Sequence, residues 1–240
     1  MSSISHEMTL AEIVTRFPAT ARVLEGHELD YCCGGQRSLA DACQNSHVDL
    51  SVVTEELKAA SQNIPHSECG NECSRMTLTE LCEHIEFTHH RYLRSELPRL
   101  QSLLEKVVFA HGERHPELRQ LVAVFKALVA DLLPHMMKEE QVLFPAIRRM
   151  ADSRQLCEFS FGTIGNPIRM MEQEHDAVGE LLRTLRSLTG GYRAPSDACA
   201  SWQQLFSGLH DLEKDLHLHI HKENNVLFPA AASLEAETRR

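Results

Sequence analysis

Aromatic side chains are scarce in this 240-residue chain, at 5% with a single Trp, and Gly (11) and Pro (9) are sparse as well. That shortage speaks against a β-sandwich and suits long helices. Positive charge is also short: 24 Lys plus Arg face 34 Asp plus Glu, a formal net charge of -10. An acidic surface without a basic stripe repels phosphate backbones and anionic lipid, so no nucleic-acid partner is expected. Residues 1–10 are polar, unlike a secretory leader. The most apolar stretch, Leu118 to Met137, is interrupted by Arg119, Lys126, Asp131 and His135, so no membrane partner is expected. These absences predict a cytoplasmic protein. Its eight cysteines (32, 33, 43, 69, 73, 82, 157 and 199) then read as thiols or ligands, not as a disulfide framework.

Apolar residues reach 42%, and the length allows a large helical bundle plus a minor domain. The polar segment Ser61 to Arg75 separates two regions. We expect a small helical domain over 1–62, a linker over 63–76 and a four-helix bundle over 77–235. In the first region Thr9 and Glu12 form a capping box, Pro18 opens a second helix ending near Gly26, and Ser38 and Ser51 read as N-caps of two more. In the second, one helix runs from Thr77, a capping box with Glu80, to about Phe109. The next starts at Pro116 and runs to about Met150. A third has Asn166 as N-cap and Pro167 at its first position, and stops at Gly190-Gly191; a fourth opens at Ser196 and runs to about Ser233. Short connections between long helices predict an antiparallel bundle, all-α throughout.

An internal repeat marks the bundle. HMMKEEQVLFPA at 135–146 matches HIHKENNVLFPA at 219–230, an offset of 84, and the preceding helices align His90 with His175 at 85. His135 and Glu139 are i and i+4, as are His219 and Glu223, so each pair stacks an imidazole and a carboxylate on one helical face. A single such pair is usually solvated. Two inside a duplicated sequence, with His90 and His175 added from the other helices, make four imidazoles and two carboxylates. That set suits two borderline divalent ions, with the carboxylates bridging and positions left open. The Glu-x-x-His motifs of a ferritin-type site are absent.

With these motifs the bundle resembles the hemerythrin-like family. Adding LDYCCGG at 29–35 and MEQEHDAVGELL at 171–182, nearly the whole chain resembles the repair-of-iron-centres (RIC) proteins, the YtfE/ScdA/DnrN type. The resemblance implies a non-haem di-iron centre with His90, His135, Glu139, His175, His219 and Glu223 as ligands and both glutamates bridging. His90 is taken over its neighbour His89 because it lies eight residues before Pro98, as the family's first ligand does. Glu174 matches a family carboxylate near the centre. The implied function is restoring iron–sulfur clusters damaged by nitric oxide or oxidative stress by supplying iron, as a non-enzymatic donor to damaged iron–sulfur proteins. The alternative is a nitric oxide or dioxygen sink or sensor. Monomer and homodimer both remain open.

Cys32 and Cys33 match the family's paired cysteines, and adjacent soft thiols suit a relay that Gly34-Gly35 leave accessible. Glu86, Asp131 and Asp215 each precede a ligand histidine (90, 135 and 219) by four residues. A carboxylate there would accept the histidine's other N–H. Cys69 and Cys73 form a C-x3-C near His66 and read as linker thiols; Cys43, Cys82, Cys157 and Cys199 read as packing residues. His217 and His221, at i±2 from His219, read as surface histidines.

Overall fold

The computed structural model describes residues 4–62, 75–153 and 157–239. Cys69, Cys73, His66 and most of the expected linker lie outside the described residues. The architecture is all-α. Four short helices come first: α1 (Leu10–Arg16), α2 (Ala21–Gly26, entered through the 3-10 turn Pro18–Thr20), α3 (Leu39–Asn45) and α4 (Leu50–Gln62). The Thr9–Glu12 capping box forms in both directions, and the Ser38 hydroxyl accepts from Asp41 N–H. Asp49, not Ser51, starts α4: its carboxylate accepts from Ser51 N–H at 2.8 Å, and the charged side chain nearer the helix start takes the donor.

The bundle helices follow. α5 runs Leu78–Ile85, passes a π turn at Glu86–His90 and continues Arg91–His111. α6 runs Glu117–Lys138, a π turn Glu139–Leu143, then Phe144–Ser153. α7 is the uninterrupted Gly165–Leu188. α8 runs Ala200–Lys222, a π turn Glu223–Leu227, then Phe228–Thr238. Thr77 and Glu80 cap α5 reciprocally. Asn166 lies inside α7, not before it, and its amide donates to the Phe161 carbonyl. α8 opens four residues later than Ser196, with Cys199 at the N-cap and exposed, so Cys199 does not pack. By length and composition α6 could cross a membrane, the one such helix among the described residues. Its buried stripe of Leu121, Phe125, Leu128 and Leu132 packs in the core.

Two apolar clusters divide the bundle, and each helix passes from one to the other. One holds Leu93 and Leu97 of α5, Leu132 and Met136 of α6, Val178 and Leu182 of α7, and Leu216 and Ile220 of α8. The other holds Ile85, Leu143, Phe144, Ile168, Met171, Leu227 and Phe228. The order reverses from helix to helix, which is the signature of antiparallel neighbours. Between the clusters every helix contributes a polar residue: His90, Glu139, His175 and Glu223. The polar layer is therefore closed off by hydrocarbon at both ends.

The N-terminal helices bury their own core around Leu10, Ile13, Leu24, Leu39 and Leu57, with Leu218 of α8 packed against it. Asn225 of α8 donates to the Cys32 carbonyl at 3.0 Å, and Gln36 donates to Asn225 at 3.0 Å. A side chain at position 35 would meet Tyr31 O at 2.5 Å and Asn225 Oδ1 at 2.9 Å. Gly35 is thus required for close approach of this turn to α8. It does not open the cysteines to solvent: Cys32 is buried and Cys33 half-buried.

Candidate metal centre

Six side chains converge in the polar layer, all buried. Glu139 sends Oε2 to within 3.3 Å of His90 Nε2 and Oε1 to within 3.2 Å of His135 Nε2. Glu223 does the same, with Oε1 3.0 Å from His219 Nε2 and Oε2 3.1 Å from His175 Nε2. The imidazoles also meet in pairs, His90 with His219 at 3.2 Å and His135 with His175 at 3.1 Å. The donors fall into two quartets, His90/His219/Glu139/Glu223 and His135/His175/Glu139/Glu223, and each glutamate gives one oxygen to each.

The outer ring nitrogens show what the inner ones must be. His90 Nδ1 lies 2.8 Å from Glu140, His135 Nδ1 2.9 Å from Glu174, and His175 Nδ1 2.8 Å from Asn224 Oδ1. Three acceptors fix three Nδ1–H tautomers, which turns the Nε2 lone pairs inward. The carboxylates then face lone pairs with too few donors: among the described residues, both Glu139 oxygens and Glu223 Oε2 have no hydrogen-bond partner. An uncompensated buried charge costs several kcal/mol, more than the ~1 kcal/mol a hydrogen bond returns. A cation in each quartet removes the deficit. Metal–donor bonds of about 2.1 Å place neighbouring donors roughly 3.0–3.4 Å apart, and the separations here match. In the protein alone, burial opposes ionisation throughout. Even so, with no cation present Glu139 and Glu223 favour a proton in its place on the facing ring, lifting His135 to about 9, while the facing imidazoles hold Glu223 well below the usual carboxylate range.

Residues 83–231 match the hemerythrin HHE cation binding domain, and residues 6–61 match a domain of unknown function, DUF542. The iron-sulfur cluster repair protein YtfE of Yersinia pseudotuberculosis is 36% identical over 93% of this chain and 96% of its own length. The YtfE protein of Yersinia pestis (strain Pestoides F) matches to the same extent, and a probable iron-sulfur cluster repair protein of Haemophilus influenzae is 34% identical over the same shares. The chain belongs to the YtfE-type, hemerythrin-like family.

Within this family member the outer partners differ from those expected by spacing. Asp131 is exposed, and His135 reaches across to Glu174 on α7, because an imidazole stretched toward the bundle axis presents Nδ1 to the adjacent helix. Glu86 pairs with Arg148 at 2.9 Å and not with His90; the π turn between them breaks the one-turn stacking that a four-residue offset assumes. Asp215 binds His89 Nδ1 at 2.8 Å, and His219 Nδ1 has no partner among the described residues. His89 instead stacks on His219, centroids 5.1 Å apart and planes within 5°, while its Nε2 accepts from Lys222 at 2.8 Å. His221 is buried: facing away from the centre turns it toward the N-terminal helices, where it meets Thr15 Oγ1 at 3.2 Å and Tyr31 O at 3.3 Å. His217 is half-buried beside Tyr31.

Two pairs of residues escaped the sequence reading. Glu140 and Asn224 are repeat equivalents, each following a bridging-position glutamate. Phe144 and Phe228, the aromatic of each Leu-Phe-Pro, stack on His90 at 5.8 Å and on His175 at 6.0 Å. Their shared register in the repeat was the available signal. Cys32 and Cys33 sit with Asp30 in a separate cluster at the seam between the N-terminal helices and α7/α8.

Proposed function

We propose that the protein holds two iron ions, one in each quartet, and restores iron–sulfur clusters damaged by nitric oxide or oxidants by supplying iron. The observation that carries this reading is the sharing of Glu139 and Glu223 between two complete donor sets. A mixed imidazole and carboxylate set is borderline in softness, so it binds iron without an all-thiolate cage. Iron held by these residues would be available for transfer to a damaged cluster. The chain's own residues orient and seclude the donors: Glu140, Glu174 and Asn224 hold three imidazoles by Nδ1, and Phe144 and Phe228 cover two of them against water. The names of the relatives favour damaged iron–sulfur proteins as partners. In this reading Cys32 and Cys33 receive the metal on its way to the target, soft thiolates being suited to hand-off.

Anaerobic mixing of iron-loaded protein with a cluster-damaged dehydratase tests the proposal. Activity should return, and isotopically labelled iron from this protein should be found in the rebuilt cluster. Recovery without label transfer would exclude iron supply. Tight nitric oxide binding without any recovery would instead favour a gas sink or sensor.

A further inference from the structure

The N-terminal helices meet α7 and α8 along a seam that lies apart from the two donor quartets. Here the turn after α2 delivers Asp30, Cys32 and Cys33 to one point. Asp30 Oδ1 accepts from Cys32 N–H at 3.1 Å, Cys33 N–H at 2.9 Å and the Cys32 thiol at 3.1 Å. This locks the turn and brings both sulfurs to one side, 4.0 Å apart. A disulfide needs about 2.0 Å. Two thiolates on one tetrahedral ion, with metal–sulfur bonds of about 2.3 Å, stand about 3.8 Å apart. The pair is spaced for a shared cation.

The surroundings have the matching charge. A cavity of about 130 Å³ opens onto both cysteines. Its walls carry Glu25, Glu28, Asp30 and Glu213 against Arg183 and Arg186, four carboxylates to two guanidiniums. Both arginines are already engaged, Arg186 with Glu213 at 2.6 Å and Arg183 with Glu180 at 2.6 Å. An anion would find few free donors there, whereas a cation meets acidic and sulfur groups. The walls come from both parts of the chain, so the cavity exists only while the N-terminal helices are docked through Asn225 and Gly35.

We propose that Asp30, Cys32 and Cys33 form a second metal site, at the domain seam, that takes one thiophilic divalent cation such as Fe²⁺ or Zn²⁺. Binding replaces two S–H bonds by two metal–sulfur bonds and releases two protons to solvent, with no change of oxidation state. Its use as a station for iron rests on the repair reading; its capacity to bind a cation does not.

Cobalt(II) is the probe. Full-length protein, its imidazole/carboxylate centre first filled with iron, is titrated anaerobically with Co²⁺. One further equivalent should bind and produce a sulfur-to-cobalt charge-transfer band. Cys32→Ser and Cys33→Ser should each abolish the band while iron content stays unchanged. Asp30→Asn keeps an oxygen to accept the same N–H groups but removes the charge, and should weaken binding ~10-fold or more. Absence of the band from the unaltered protein, or its survival in both serine variants, overturns the site. Unchanged affinity in Asp30→Asn overturns the role of the carboxylate. A band that forms normally in a protein that fails to rebuild clusters would break the repair reading and leave this site standing.

Discussion

The two donor quartets are products of one repeat, yet they are supported differently. In the His135/His175 quartet both imidazoles have an outer partner, Glu174 and Asn224. In the His90/His219 quartet, among the described residues, only His90 has one, Glu140, and His219 is held by stacking on His89. The repeat register makes these direct exchanges: Glu140 stands where the other half has Asn224, and His89 where it has Glu174. Residues aimed at the centre are duplicated faithfully, whereas those one layer out have diverged. A carboxylate behind an imidazole raises its basicity more than a neutral amide or a stacked ring does. The protein thus surrounds two equivalent donor sets with unequal support, which would make ions held in the two quartets distinguishable by experiment.

The largest effect should come from removing what the quartets share. Glu139→Ala or Glu223→Ala takes a donor from both at once, so iron content should fall and the pair should uncouple, with losses beyond the ~10–100-fold typical of an outer partner. Metal analysis with Mössbauer spectroscopy decides: two coupled irons in either variant would remove the bridging assignment. A smaller, one-sided loss is expected for Glu174→Gln, about 10-fold at the His135/His175 position, with the other position little changed. Asp131→Asn is the contrast. Its side chain is exposed and the His135 Nδ1 is already bound to Glu174, so iron affinity should be unchanged. Equal losses in Asp131→Asn and Glu174→Gln would mean that the outer partner of His135 comes from its own helix after all.

What the sequence disclosed, and what it hid, follows from how far each residue's partner lies along the chain. The i, i+4 pairs His135/Glu139 and His219/Glu223 and the capping boxes at Thr9 and Thr77 are local patterns, and they led to the all-α bundle and to four of the six converging side chains; the repeat added His175, and the family resemblance chose His90 over His89. The outer partners are not local. Glu174 reaches His135 from another helix, and Glu140 reaches His90 across 50 residues. Offsets of four along one helix could not find them. The π turns at Glu86–His90, Glu139–Leu143 and Glu223–Leu227 also defeat regular spacing, although Phe-Pro after two of them was a legible break: a proline lacking N–H is best placed where a helix restarts. His221 shows the same limit from the other side. Its face pointed away from the centre as spacing required, but only the docked N-terminal helices make that face an interior one.

The smallest loss should come from the feature that separates the quartets most clearly. His89 lies flat on His219 and is fixed in turn by Asp215 and Lys222. If stacking is what holds the His219 ring, another aromatic at position 89 should serve. We expect His89→Phe to keep iron at both positions, and His89→Ala to weaken the His90/His219 position about 2- to 10-fold, the value of an aromatic contact of roughly 0.5–1.5 kcal/mol. The Mössbauer signal of that position should broaden in the alanine variant, because a ring without an Nδ1 partner or a stacking partner is free to turn. Equal losses in both variants would assign the support to the Asp215 and Lys222 hydrogen bonds, which phenylalanine cannot make. No loss in either would mean that Glu223 alone orients His219, through the 3.0 Å contact within its own helix.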